Sequence, residues 1–187
     1  LSDRSGRYEC WTLLPDGSGL KQISHTTGAR WAQAPVWSPD GGTIACNTQG
    51  SAPLLIDVES REAGGPAPVA APGANPELVF FAWSWSSVGG LVGRSANDEL
   101  VAFTPGQDRF RAIGPRGIRP TWLGDGRGVL YLDAGALWLA DATTGRAMEI
   151  LSVAPNLMQS IGISHDNRSL YFGVTTREAD VWVATLK

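Results

Sequence analysis

The sequence predicts an all-β protein, a β-propeller of four-stranded antiparallel blades, on three observations. Short apolar stretches of strand length alternate throughout with turns built from Gly, Pro, Asp and Ser. The stretch Pro35-Val36-Trp37-Ser38-Pro39-Asp40-Gly41-Gly42-Thr43-Ile44-Ala45-Cys46, an apolar strand, a tight turn and a second strand, returns in degraded form further along the chain. Two sets of landmarks then share one period. Trp37, Trp83, Trp122 and Ile163 are spaced by 46, 39 and 41 residues, and Trp11, Leu55, Val101, Trp138 and Trp182 by 44, 46, 37 and 44. Four strands in about 42 residues, with no helical interval, is the blade period. A twisted sheet has two faces to cover, and radial stacking of sheets covers both.

Composition agrees with this class. The 187 residues are 43% hydrophobic and 18% charged, with 23 Gly and 12 Pro, which suits many short strands joined by tight turns. Eight Trp against two Met favour broad sheet-on-sheet contact. Lys and Arg are scattered and the formal charge is −3, so nucleic acid is not expected as a partner. No run of 18 apolar residues calls for membrane insertion. The compartment stays open, periplasmic or cytoplasmic. Cys10 and Cys46 each fall in an expected strand; two buried thiols is the plainer reading, with a disulfide left open.

Taken in order, a partial blade covers residues 1–24, with a strand over Tyr8 to Leu14 and another near Leu20 to Ile23. The second blade, 34–70, places strands at Ala34 to Trp37, Thr43 to Asn47, Leu54 to Val58 and weakly around Val69. The third, 78–113, runs Leu78 to Trp83, Leu91 to Gly93, Leu100 to Thr104 and Arg109 to Ile113. The fourth, 119–151, runs Pro120 to Trp122, Val129 to Leu132, Leu137 to Ala140 and Ala147 to Leu151. The last, 159–187, has Ser160 to Ile163, Leu170 to Val174 and Asp180 to Ala184, without a fourth strand. That is about four and a half blades, a partial ring, since closure ordinarily takes more. The expectation is that the chain belongs to a longer ring; association of copies is the alternative.

The phrase Pro35-Val36-Trp37-Ser38-Pro39-Asp40-Gly41 resembles the repeat of TolB-like propellers, a WD40-like class with PD40-type repeats. Ser2-Asp3-Arg4-Ser5-Gly6 followed by Trp11 and Asp16-Gly17-Ser18-Gly19 resembles the remainder of such a blade, and Asp180-Val181-Trp182 is similar to the family's third strand. The resemblance implies a protein-binding platform, in the bacterial envelope or attached to kinases, regulators or peptidases. The chain departs from the pattern at Trp83-Ser84-Trp85-Ser86-Ser87 and at Leu123-Gly124-Asp125-Gly126, where Ser-Pro-Asp-Gly is expected.

No catalytic constellation stands out. His25 and His165 occupy different places in the repeat, no Gly-x-Ser-x-Gly elbow occurs, and Gly89-Gly90-Leu91-Val92-Gly93 lacks the lysine and helix of a phosphate loop. It reads as a strand start or a bulge. Asp40, Asp125 and Asp166 follow innermost strands and read as turn caps. Trp37, Trp83 and Trp122 read as inter-blade packing, as do Trp11, Trp138 and Trp182. Trp85, in the place of a turn proline, and Trp31 beside Arg30 are the candidates for an exposed interaction surface, with Arg116 and Arg119 as a polar rim that Arg94 and Arg111 could extend. The expected function is non-catalytic binding of a protein or peptide, without cofactor, as a sensor or scaffold segment of a larger bacterial protein; remaining blades or another domain of the parent chain are further expected partners. The alternative is a propeller accessory to a serine peptidase or to carbohydrate chemistry.

Overall fold

A computed structural model describes residues 1–26, 32–48, 52–58, 69–70, 80–104, 110–164 and 166–176. Among these residues, sixteen strands fall into five antiparallel sheets taken in chain order. The first pairs β1 (Trp11–Thr12) with β2 (Lys21–Gln22). The second holds β3 (Ala32–Trp37), β4 (Thr43–Thr48), β5 (Leu54–Asp57) and β6 (Val69–Ala70). The third holds β7 (Phe80–Ser86), β8 (Gly90–Ser95), β9 (Leu100–Phe103) and β10 (Phe110–Gly114). The fourth holds β11 (Ile118–Trp122), β12 (Gly128–Asp133), β13 (Ala136–Asp141) and β14 (Ala147–Leu151). The fifth pairs β15 (Leu157–Ile163) with β16 (Leu170–Thr175). Within each four-stranded sheet sequential strands are neighbours, a meander, and its first and second strands are joined by turns of three to five residues. The third strand expected over Asp180 to Ala184 lies outside the described residues.

The sheets pack face to face through four apolar cores, one between each consecutive pair. Cys10 and Ile23 meet Ile44, Cys46 and Ile56. Ala45 meets Phe80, Ala82, Leu91, Val101 and Phe103. Val92, Leu100, Ala102 and Ile113 meet Trp122, Val129, Tyr131 and Ala140. Leu130, Leu132 and Leu137 meet Met158. Alternation along the strand explains this ordering, because neighbouring residues point to opposite faces. Ala45 faces the third sheet while Ile44 and Cys46 face the first; Val129 and Tyr131 face the third while Leu130 and Leu132 face the fifth. Strands buried on both sides therefore read as unbroken apolar runs. Each such side chain removed from water contributes roughly 1.5–3 kcal/mol.

Two expectations are corrected. The innermost strand of the third sheet does not end at Trp83 but runs on to Ser86, with Trp85 opposite Leu91. The register shifts between Ala82 and Ser84, so Trp83 sits at an irregularity, its ring 4.7 Å from that of Phe81 and 6.0 Å from the Arg94 guanidinium. The equivalent of Trp37, Trp122 and Ile163 is thus Trp85, each pairing with the strand that follows the turn. The thiol reading also fails. Cys10 and Cys46 form a disulfide between the first and second sheets, closing a loop of 36 residues that by chain entropy stabilises the fold by roughly 3–4 kcal/mol.

Close approach rather than phosphate chemistry accounts for the glycine cluster. A Cβ on Gly93 would lie 2.0 Å from the Phe81 carbonyl oxygen, and Gly90 combines a φ of +75° with a Cβ position 2.5 Å from the Phe103 carbonyl oxygen.

Candidate functional site

The innermost strands and their turns set one end of the stacked sheets. The β3–β4 turn is held by the Ser38 hydroxyl donating to Asp40 Oδ1 at 2.5 Å, by the Gly42 amide donating to the same oxygen at 3.0 Å, and by the Thr43 amide donating to Ser38 Oγ at 2.9 Å. The β15–β16 turn repeats this: Ser164 Oγ donates to Asp166 Oδ1 at 2.6 Å and the Ser169 amide donates to Ser164 Oγ at 2.9 Å. At the β11–β12 turn Leu123 replaces the serine, and Asp125 Oδ1 alone accepts the Arg127 and Gly128 amides at 2.8 and 2.9 Å. All three aspartates are therefore turn caps. The Ser38 hydroxyl, then the Gly42 amide, holds the Asp40 carboxyl below its ordinary value, and the Gly128 and Arg127 amides do the same for Asp125.

The β7–β8 turn is tighter, spanning Ser87 to Gly89, with Ser86 Oγ accepting the Val88 and Gly89 amides at 3.2 Å. Between it and the β3–β4 turn lies a cleft of about 330 Å³ lined by Ser38, Pro39, Asp40, Trp85, Val88 and Thr104, among others. Trp85 is half-buried, one side packed on the core between the second and third sheets. Val88 stands 74% exposed at its margin, the most exposed large apolar side chain among the described residues.

The sequence candidates divide. Arg30 and Trp31 lie outside the described residues, as does His165. Trp85 lines the cleft just described. Arg116 lies at the opposite end of the sheets: it precedes β11, whose other end, Trp122, reaches the β7–β8 turn through its indole N–H donating to the Gly90 carbonyl at 2.9 Å. There Arg116 Nε pairs with Asp133 at 2.9 Å and Arg94 Nε with Asp98 at 3.2 Å, and all four line a second cleft of about 260 Å³. Arg119 is exposed on β11 with a φ of +54°, and Arg111 is exposed on the outer strand β10. So Arg94 and Arg116 come together, and Trp85 stands apart from them. A larger cleft of about 460 Å³, lined by Leu123, Leu139 and Met148 with the Arg127–Asp141 ion pair, flanks the fourth sheet.

Sequence reading missed two buried polar residues. The Asn47 side chain, fully buried, accepts the Ala82 amide at 2.8 Å and donates to the carbonyls of Ala82 and Ala34 at 2.8 and 2.6 Å, stitching the second sheet to the third. Glu9, also buried, accepts from the Ser24 hydroxyl and from the Thr26 amide and hydroxyl at 2.8 and 2.6 Å. Burial would raise its carboxyl, but these bonds and the nearby His25 outweigh that and lower it. Nothing local marks either residue, since both need partners from a distant turn or sheet. Among the described residues no group of three or more His, Cys, Asp or Glu could hold a metal ion, and no helix is long and apolar enough to cross a membrane.

No protein-family model matches the sequence, and no curated protein sequence does. Solved structures are similar in fold. A chain of a mitotic checkpoint complex superposes with a TM-score of 0.63 at 14% identity, covering 87% of this chain and 50% of that one. The β-propeller domain of Myceliophteria thermophila Cps50 (Swd1) gives 0.60 at 12% identity, covering 90% of this chain and 62% of that one. Apo AztD from Citrobacter koseri gives 0.53 at 14% identity, covering 81% of this chain and 43% of that one. The chain thus spans about half the length of the first of these. With its stacked four-stranded sheets and these superpositions, the chain has the β-propeller fold.

Proposed function

We propose that this propeller binds a protein or peptide partner without catalysing a reaction, as a sensor or scaffold segment of a larger bacterial protein, and that the partner docks at the end of the sheets that carries Trp85. The observation that supports this reading is the cleft between the β3–β4 and β7–β8 turns, where the half-buried Trp85 ring and the exposed Val88 meet the fixed carboxylate of Asp40. Its walls are turns pinned by side-chain hydrogen bonds on rigid strands, so docking orders little of the protein itself. An aromatic anchor set in a dry wall is the usual centre of binding energy. Arg30 and Trp31 are proposed as part of the same surface; Arg116 provides the control at the opposite end.

The test is selection of binders from a displayed peptide library, followed by affinity measurement against variants. Val88→Asp and Trp85→Ala should each weaken the selected peptides by roughly tenfold or more, with Arg116→Ala leaving them unchanged. Val88→Asp separates binding from folding, because Trp85 also packs on a core. Equal binding by the wild type and Val88→Asp, or loss confined to Arg116→Ala, would remove the site from this end.

A further inference from the structure

The first sheet is the least self-sufficient part of the molecule. Its two strands are two residues long, extended by the Ser2–Glu9 bridge, by the Ile23 amide donating to the Cys10 carbonyl at 2.9 Å and by the Cys10 amide donating to Ser24 Oγ at 2.8 Å. To the core it shares with the second sheet it brings two buried apolar residues, Cys10 and Ile23, where the third sheet brings Phe80, Ala82, Leu91, Val101 and Phe103 to its own. Within the first sheet Glu9 gathers Ser24 and Thr26, and Arg7 Nη1 donates to the Thr26 carbonyl at 2.9 Å. Leu13 and Leu14 are more than half exposed, so little of this sheet's apolar surface is spent on docking. What joins it to the second sheet covalently is the bond between Cys10 and Cys46, two residues with no solvent exposure, on sheets that meet through Ile44 and Ile56.

We propose that the Cys10–Cys46 disulfide is a latch that holds the first sheet against the second, and that the protein accordingly matures in an oxidising compartment, the periplasm or the cell exterior. Disulfides persist there and are rare where glutathione and thioredoxin keep thiols reduced. The bond forms by exchange with a protein or small-molecule disulfide. One cysteine thiolate attacks a sulfur of that oxidant, giving a mixed disulfide and releasing one thiolate. The second cysteine thiolate then attacks the mixed disulfide at the sulfur of the first, closing the Cys10–Cys46 bond and releasing the oxidant's other thiolate. Two electrons pass to the oxidant; the two cysteines give up their protons to solvent, and the oxidant's two thiolates take up two from it, so the oxidant leaves as two thiols. With the bond open, the first sheet loses its covalent tie to the second, and Ile44 and Ile56 are uncovered where it departs.

The experiment has two readouts on the intact protein. Protein exported to the periplasm of an expression host is denatured in a thiol-alkylating reagent and weighed; neither cysteine should be modified until a reductant is added, when both should be. Amide hydrogen exchange is then followed with and without reductant, and in a Cys10→Ala/Cys46→Ala double variant. Opening the bond should speed exchange over residues 9–24 by roughly tenfold or more, as for a local unfolding unit, with residues 128–141 of the fourth sheet unchanged. Alkylation of both cysteines in the exported protein would overturn the assignment to an oxidising compartment. Unchanged protection of residues 9–24 in the reduced protein and the double variant would overturn the latch, and so would loss of protection throughout the fold.

Discussion

Trp37 and Trp122 hold the same place in the repeat and meet opposite fates. Each closes an innermost strand, pairs across the turn with the first apolar residue of the next strand (Ile44, Val129), and points back toward the preceding sheet. Trp122 is 5% exposed, because the third sheet lays Val92, Leu100 and Ala102 against its core and offers the Gly90 carbonyl to its indole N–H. Trp37 is 50% exposed, because the sheet in front of it consists, among the described residues, of the two short strands β1 and β2. A blade position is therefore not a degree of burial. The neighbouring sheet supplies the cover.

Substitutions can break or sharpen that contrast. Trp122→Ala should have the largest effect, about 3–5 kcal/mol lost in urea unfolding, and a loss no greater than that of Trp37→Ala would erase the distinction. Asn47→Ala should come next, on the order of 2–3 kcal/mol, since the Ala82 amide and carbonyl lose their partner in a dry interface. Gly89→Ala asks how full the Trp122 site is: its Cβ would lie 2.6 Å from the indole, so a cost of about 1–3 kcal/mol is expected. Trp37→Ala should cost less than about 1 kcal/mol by the same measurement, as an exposed ring has little packing to lose. The smallest effect is electrostatic. The Thr144 amide first, then the Arg127 side chain, hold the Asp141 carboxyl at about 2 against its ordinary 3.8. A depressed folded value means the contribution is complete above about pH 4 and disappears as the pH falls through about 2. Asp141→Asn should flatten that acid limb of a stability-against-pH curve while leaving the Trp122 and Trp37 results as they were.

Most of the strand pattern was legible in the sequence, because it depends on neighbours a few residues apart. The β3–β4 hairpin, the turn role of Asp40, Asp125 and Asp166, and the strand start at Gly90 all follow from local torsions and short-range hydrogen bonds. The misplacement at Trp83 has a physical origin. Trp83-Ser84-Trp85-Ser86 repeats with period two, so two tryptophans compete for one place in the repeat, and the irregularity between Ala82 and Ser84 sets Trp85 in place of Ser84 opposite Leu91. Of the candidate site, Trp85 was recognisable as unusual for a turn phrase, yet it lies in the strand beside the turn and half-buried. Val88 and the Asp40 side of the cleft come from two turns about fifty residues apart and could not be joined by reading along the chain.

By itself the sequence determined an all-β protein and, among the described residues, the approximate positions of most of its strands and turns, since apolar alternation and turn chemistry act over a few bonds. Only the tertiary structure decided that Cys10 reaches Cys46, that Asn47 bridges two sheets, that Trp85 and Arg116 stand at opposite ends, and that one repeat tryptophan is covered while another is bare. Those outcomes depend on which sheet lies alongside, a matter of packing between residues tens of positions apart that no local pattern carries.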